Sequence, residues 1–149
     1  MANLQLIIAT PERKVYEDRV DSLTVPTTTG QITILPHHMA LSTVLQSGEM
    51  IIRKGNQEEP YAVSGGFVEV QPEKVIILAD TAEHVTEIDE QRAEEARQRA
   101  KQLMEEKQHD ASEFTAIAAK LERDLNRLNV VRKYRHRGHQ GTQRGIRQE

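Results

Sequence analysis

Cysteine and tryptophan are missing from this chain of 149 residues, and aromatic residues of all kinds make up only 3% of it. Without cysteine there is no disulfide, no thiolate zinc site and no cysteine nucleophile, and the composition is compatible with a reducing compartment. With so few aromatics the core must be aliphatic, and there is no surface rich in rings on which bases or sugars would stack. No apolar run approaches the ~18–20 residues that span a bilayer. The opening MANLQLIIATPERK lacks the charged start and long apolar stretch of a secretory signal. These absences predict a protein that is soluble, or peripheral to a membrane through a partner.

Charge is plentiful, and its distribution says more than the net value of −3. Residues 1–84 carry 6 Lys/Arg against 11 Asp/Glu, whereas the remainder carries 14 against 12. The basic excess sits at the end, where Arg132, Lys133, Arg135, Arg137, Arg144 and Arg147 oppose only Glu149. An acidic front and a basic rear predict two parts with different tasks.

Residues 1–84 read as strands. Leu4–Ile8, Ser22–Val25, Gly30–Leu35, Met50–Arg53, Tyr61–Val63, Phe67–Val70 and Val75–Leu78 are short runs rich in Val, Ile, Leu and Thr. Pro11, Pro26 and Pro36 stop three of them, Lys54-Gly55-Asn56 reads as a hairpin turn, and Gln71-Pro72-Glu73-Lys74 as a type I turn. Such punctuation without a helical period predicts an antiparallel sandwich or barrel.

From Asp89 to Arg135 there is no Gly and no Pro. Ala93, Ala96, Ala100, Leu103 and Met104 share one face of a first helix. Phe114, Ile117, Ala118, Leu121, Leu125, Leu128 and Val131 share one face of a second. The polar stretch from Lys107 to Ser112 joins them, which predicts an antiparallel hairpin over 85–135. Its interface is thin, so docking in two states is open to it. Residues 136–149 hold three Gly and one apolar residue, Ile146, and are expected to be a disordered basic tail.

Catalytic signatures are weak. His37-His38 follows Pro36 at a turn with no spaced carboxylates or thiols nearby, and His136 with His139 lies in the tail. Ser64-Gly65-Gly66 lacks the glycine that must precede a nucleophile elbow, so its glycines read as a bulge. Ile88-Asp89-Glu90-Gln91-Arg92-Ala93 opens the first helix. Capping by Asp89 and its pairing with Arg92 account for both residues on spacing alone. The other reading is an anion site completed by Arg123 and Arg127, whose mutual repulsion a polyphosphate would relieve.

The order and spacing of several segments carry a resemblance. These are GQITILPHH at 30–38, SGGFVEV at 64–70, ILADTAE at 77–83 and IDEQRA at 88–93. Together they closely resemble the epsilon subunit of bacterial F-type ATP synthases, over about Leu4 to Tyr134. The resemblance implies a β + α architecture: an N-terminal antiparallel β-sandwich of about ten strands, then a C-terminal antiparallel two-helix hairpin. It implies a non-catalytic place on the central stalk, bound to the gamma subunit and the membrane rotor ring. The loop around Gln31 and His38 would face the ring and gamma. The hairpin would extend into the catalytic head and block ATP hydrolysis, with Arg123, Arg127, Arg132, Lys133 and Arg135 meeting acidic loops of the catalytic alpha and beta subunits. No cofactor is required. ATP is implied as a regulatory ligand held by Ile88, Asp89, Arg92, Ala93, Arg123 and Arg127. The implied location is the cytoplasmic side of the inner (plasma) membrane, reached through the complex. Thr33 and His37 stand where the family commonly has glycine, and Ala116 stands where ATP-binding members carry a further Arg. The rival readings are a module whose basic tail captures nucleic acid, and a hydrolase using His37 or His38.

Overall fold

Leu4, Leu6 and Ile8 alternate with Gln5, Ile7 and Ala9, and this period of two makes β1 (Leu4–Ala9) a strand with one fully buried face. Seven strands follow: β2 (Lys14–Val20), β3 (Ser22–Thr27), β4 (Gly30–Ile34), β5 (Leu41–Leu45), β6 (Gly48–Lys54), β7 (Gln57–Val70) and β8 (Lys74–His84). The computed structural model that contains them describes residues 4–107 and 110–144, with side chains through Arg137. The chain divides into two units between His84 and Val85.

The first unit is a β-sandwich. One layer runs β2-β1-β8-β7-β5, and the other joins β4, β3 and β6 to the first half of β7. Leu6, Ile8, Leu23, Met50, Ile52 and Ile77 are among the fully buried side chains between them. Each such burial is worth about 1.5–3 kcal/mol relative to exposure. Tyr16 packs edge-on against Tyr61, and burial pushes its hydroxyl up to about 12, with Glu59 and Asp18 adding to the effect.

Three expectations change. The sandwich has eight strands and not about ten, because β7 and β8 are long and serve both layers. The front of β7 pairs with β6 and its rear with β5, while β8 follows it from Tyr61 to Val70. The stretch expected as two strands around Ser64-Gly65-Gly66 is one bent strand. Gly65 and Gly66 make the bend at φ +53° and +127°, the second of which only glycine adopts without strain. The sandwich is also not purely antiparallel, since β1 pairs with β8 in parallel from Gln5/Lys74 to Ala9/Leu78. The last strand of the unit thereby covers an edge of the first.

The turns follow their residues. Lys54 pairs with Gln57 across a two-residue loop whose Gly55 has φ +61°. Lys74 N–H donates to the Gln71 carbonyl across Pro72. His37 takes φ +64°, and its N–H donates to Pro72 O at 2.7 Å. His37 therefore holds a left-handed backbone of the kind that glycine most often takes. Histidine is among the residues that tolerate this region.

The second unit opens with a 3-10 turn at Val85–Glu87, then α1 (Glu90–Glu106) and α2 (Ala111–Arg144). Asp89 caps α1 by accepting from Arg92 N–H at 3.1 Å. Asp110 caps α2 by accepting from Ser112 and Glu113 N–H at 3.1 and 3.2 Å. The expected tail differs from what is observed, since helix continues through Arg144. Once a helix is nucleated, each further residue adds a hydrogen bond; Arg and Gln continue it readily, and Gly138 and Gly141 weaken it by about 1 kcal/mol each without ending it. Residues 145–149, the end of that expected tail, lie outside the described residues.

Candidate functional site

The basic end of α2 meets the start of α1. Arg132 lies 3.6 Å from Glu90 and 3.5 Å from Glu94, and Arg135 pairs with Glu90. Arg97 donates to Glu94 at 2.6 Å. This bond, with Arg132 and Gln98 adding, holds the Glu94 carboxyl below the usual range, so it stays charged to lower pH than an ordinary glutamate. Glu90, Gln91, Glu94, Glu95, Gln98, Arg132 and Arg135 line a shallow groove of about 480 Å³. The arginines are half or more exposed, so the cluster is an ionic latch in contact with water. Exposed pairs of this kind are individually weak and are loosened by salt.

The other residues singled out from the sequence fall into separate places. Ile88 and Ala93 are buried, and Asp89 and Arg92 form an exposed ion pair at 3.7 Å. Arg127 lies 3.4 Å from Asp124, and Arg123 is exposed. Arg127 and Arg123 precede Arg132 by five and nine residues, about 8 and 14 Å of helix rise. A ligand touching these arginines and the Asp89–Arg92 pair must therefore extend along the hairpin. Lys133 is exposed beside the latch in sequence. Gln31 is exposed near the start of β4, and His38 lies four residues beyond its end, with Nδ1 2.8 Å from Met39 O. Gln31 thus lies within β4, and His38 in the turn that follows it. Among the described residues no group of His, Asp or Glu is arranged to hold a metal ion.

Two features were not read from the sequence. One is an apolar row on the outer face of the sandwich. Val44, Phe67 and Leu78 are direct neighbours across β5, β7 and β8, and they are 44%, 63% and 55% exposed. Their sequence neighbours Leu45, Val68 and Ile77 point into the core, so the row faces outward. The other is on α2. Leu125, assigned to the apolar stripe, is exposed, and Asp124 is buried in its stead. The observed spacing of Ile117, Leu121, Asp124, Leu128 and Val131 is the regular four-three alternation of a helix seam, which an aspartate hides from a hydrophobicity pattern.

The model of the ATP synthase delta/epsilon chain β-sandwich domain matches residues 3–85, and that of the long α-helix domain of the same chain matches residues 86–132. The chain belongs to the ATP synthase epsilon chain family. An epsilon chain of Dehalococcoides mccartyi is 44% identical over 135 residues, covering 91% of this chain and 96% of that one. One from Herpetosiphon aurantiacus is 46% identical over 134 residues, covering 90% and 98%. A chain in the cryo-EM structure of the Euglena gracilis mitochondrial ATP synthase shares the fold. Its TM-score is 0.69 at 22% identity, over 82% of this chain and 77% of that one. Epsilon chains are accessory subunits of the ATP synthase and are not catalytic. The synthase is membrane-associated, and among the described residues no helix of this subunit is long and apolar enough to cross a membrane.

Proposed function

We propose that this subunit sits on the central stalk, with the sandwich as a rigid adaptor and the hairpin as a two-state brake on ATP hydrolysis. The observation that carries the reading is the ionic latch. Arg132 and Arg135, which would meet acidic loops of the catalytic subunits, are engaged by Glu90 and Glu94 in the closed hairpin. The same side chains cannot satisfy both sets of acids, so closing withdraws them from the catalytic head and opening presents them. A partner biases such an element only by its differential affinity for the two states.

The test is ATP hydrolysis by a catalytic head stripped of its epsilon subunit, with gamma present. Adding the full chain should suppress turnover, whereas a version ending at His84 should bind without suppressing it. Binding by both with no suppression by either would leave an adaptor and no brake.

The outward row of Val44, Phe67 and Leu78 is the surface we assign to gamma, since apolar side chains in register across three strands suit a lasting interface. Replacing Phe67 and Leu78 together by Asp is expected to weaken gamma binding at least ~100-fold. Both side chains point away from the core, so the circular dichroism spectrum should not change. Normal gamma affinity in that variant would move the interface elsewhere. The rotor ring remains the partner of the segment from Gln31 to His38. These contacts hold the subunit at the cytoplasmic side of the membrane without inserting it. ATP, as a regulatory ligand, would lie along the closed hairpin and favour it. With Arg127 already facing Asp124 and Ala116 short of a guanidinium, its hold is weak.

A further inference from the structure

Asp124 is 3% exposed, and its Oδ2 atom has no hydrogen-bond partner. Its Oδ1 atom has one long contact, 3.4 Å to Arg127, whose own side chain is about a quarter exposed. Helical geometry fixes where the carboxylate points. Asp124 precedes Arg135 by eleven residues, close to three full turns, so both project from the same side of α2. Arg135 pairs with Glu90 on α1. Three turns toward the loop from that pair bring Asp124 level with Lys101 and its neighbour Ala100, a buried small residue of α1. A carboxylate therefore occupies the helix seam where Leu121 and Leu128 supply apolar packing on either side.

We propose that Asp124 is a counterweight in the seam, which keeps the closed hairpin openable. Taking a carboxylate from water into the seam is unfavourable, and one long contact on one oxygen offsets only part of that. Opening the hairpin returns Asp124 to water and removes the penalty. The ionic latch at the far end of α2 acts in the opposite direction. The balance between closed and open states is thus set by one residue that disfavours closure and a charge cluster that favours it. A single polar residue in an otherwise apolar helix seam is known to lower the stability of the packed helices while fixing their register.

The inference rests on the brake reading only for its effect on hydrolysis, and the first measurement is independent of that reading. Amide hydrogen exchange is followed along α1 and α2 in the full chain and in Asp124→Leu and Asp124→Asn. Leu restores the apolar stripe, and Asn keeps the shape without the charge. Exchange in the hairpin is expected to slow about ten-fold or more in Asp124→Leu and by a smaller factor in Asp124→Asn, with the sandwich unchanged. Unchanged or faster exchange in both variants would overturn the proposal. In the hydrolysis assay Asp124→Leu should inhibit less than the natural chain. Slower exchange with undiminished inhibition would uphold the counterweight and overturn the brake.

Discussion

Gly66→Ala is expected to cost the sandwich about 3 kcal/mol or more, enough to lower its melting temperature by ~10–20 °C. Two effects add at this position. Gly66 has φ +127°, a backbone region essentially closed to residues with a side chain. A Cβ there would also strike the Leu78 carbonyl oxygen, with Ala79 Cα at 2.9 Å and Leu78 C at 3.0 Å. All three atoms are backbone of the neighbouring strand, so no side-chain rotation relieves the contact. Gly30 is the matched control. Its φ is +116°, yet an added Cβ meets nothing within 4 Å, so Gly30→Ala should cost only the backbone strain, ~1–2 kcal/mol. Thermal melts of the two variants beside the natural chain check the difference. Equal melting temperatures would mean that the bend in β7 yields more easily than its packing implies.

Reversing charge at Arg132 and Arg135 together, both to Glu, should abolish inhibition of hydrolysis, raising the inhibitory concentration at least ~100-fold. In the closed state the new carboxylates would face Glu90 and Glu94. In the open state they would face the acidic loops that arginine is proposed to meet, so the open hairpin could not dock. Gamma binding through the sandwich should be unaffected. Glu90→Gln with Glu94→Gln removes the closed-state partners, along with the Arg97 pair inside α1, and inhibition should strengthen by about five-fold, less so at high salt. The opposite signs are the useful part. A general loss of hairpin stability would move both variants the same way. Inhibition titrations at two ionic strengths, with gamma affinity measured alongside, distinguish these outcomes.

Much of this architecture is legible in the sequence. β1, β3 and β4 announce themselves through alternation and proline stops, β6 through its hairpin turn, and the boundary at His84 through the change of period. β2 escaped because Lys14, Glu17, Asp18 and Arg19 make it a charged edge strand with little to bury. β5 escaped because Leu41 and Val44 are exposed, leaving only Leu45 fully buried. β7 read as two strands because a pair of glycines ordinarily marks an end, and here it marks a bend. The latch was half legible. The basic run was plain, but Glu90 and Glu94 become its partners only when the helices fold back antiparallel. Asp124 was hidden because one carboxylate at a seam position looks, in a sequence, like one more residue of a solvated face.

The parallel pairing of β1 with β8 bears on how the protein is made. Gln5 and Lys74 are neighbours in the sheet but about seventy residues apart in the chain. Synthesis proceeds at about 5–20 residues per second, so β1 emerges from the ribosome several seconds before its parallel neighbour exists. Until then the apolar strand Leu4–Ala9 has at most β2 to cover one side. Pairings so distant along the chain also belong to the slower class of folding reactions, milliseconds to seconds. The newborn chain therefore passes through an interval in which it is open to aggregation and suited to chaperone capture. That interval ends only when the strand adjoining the hairpin has been made.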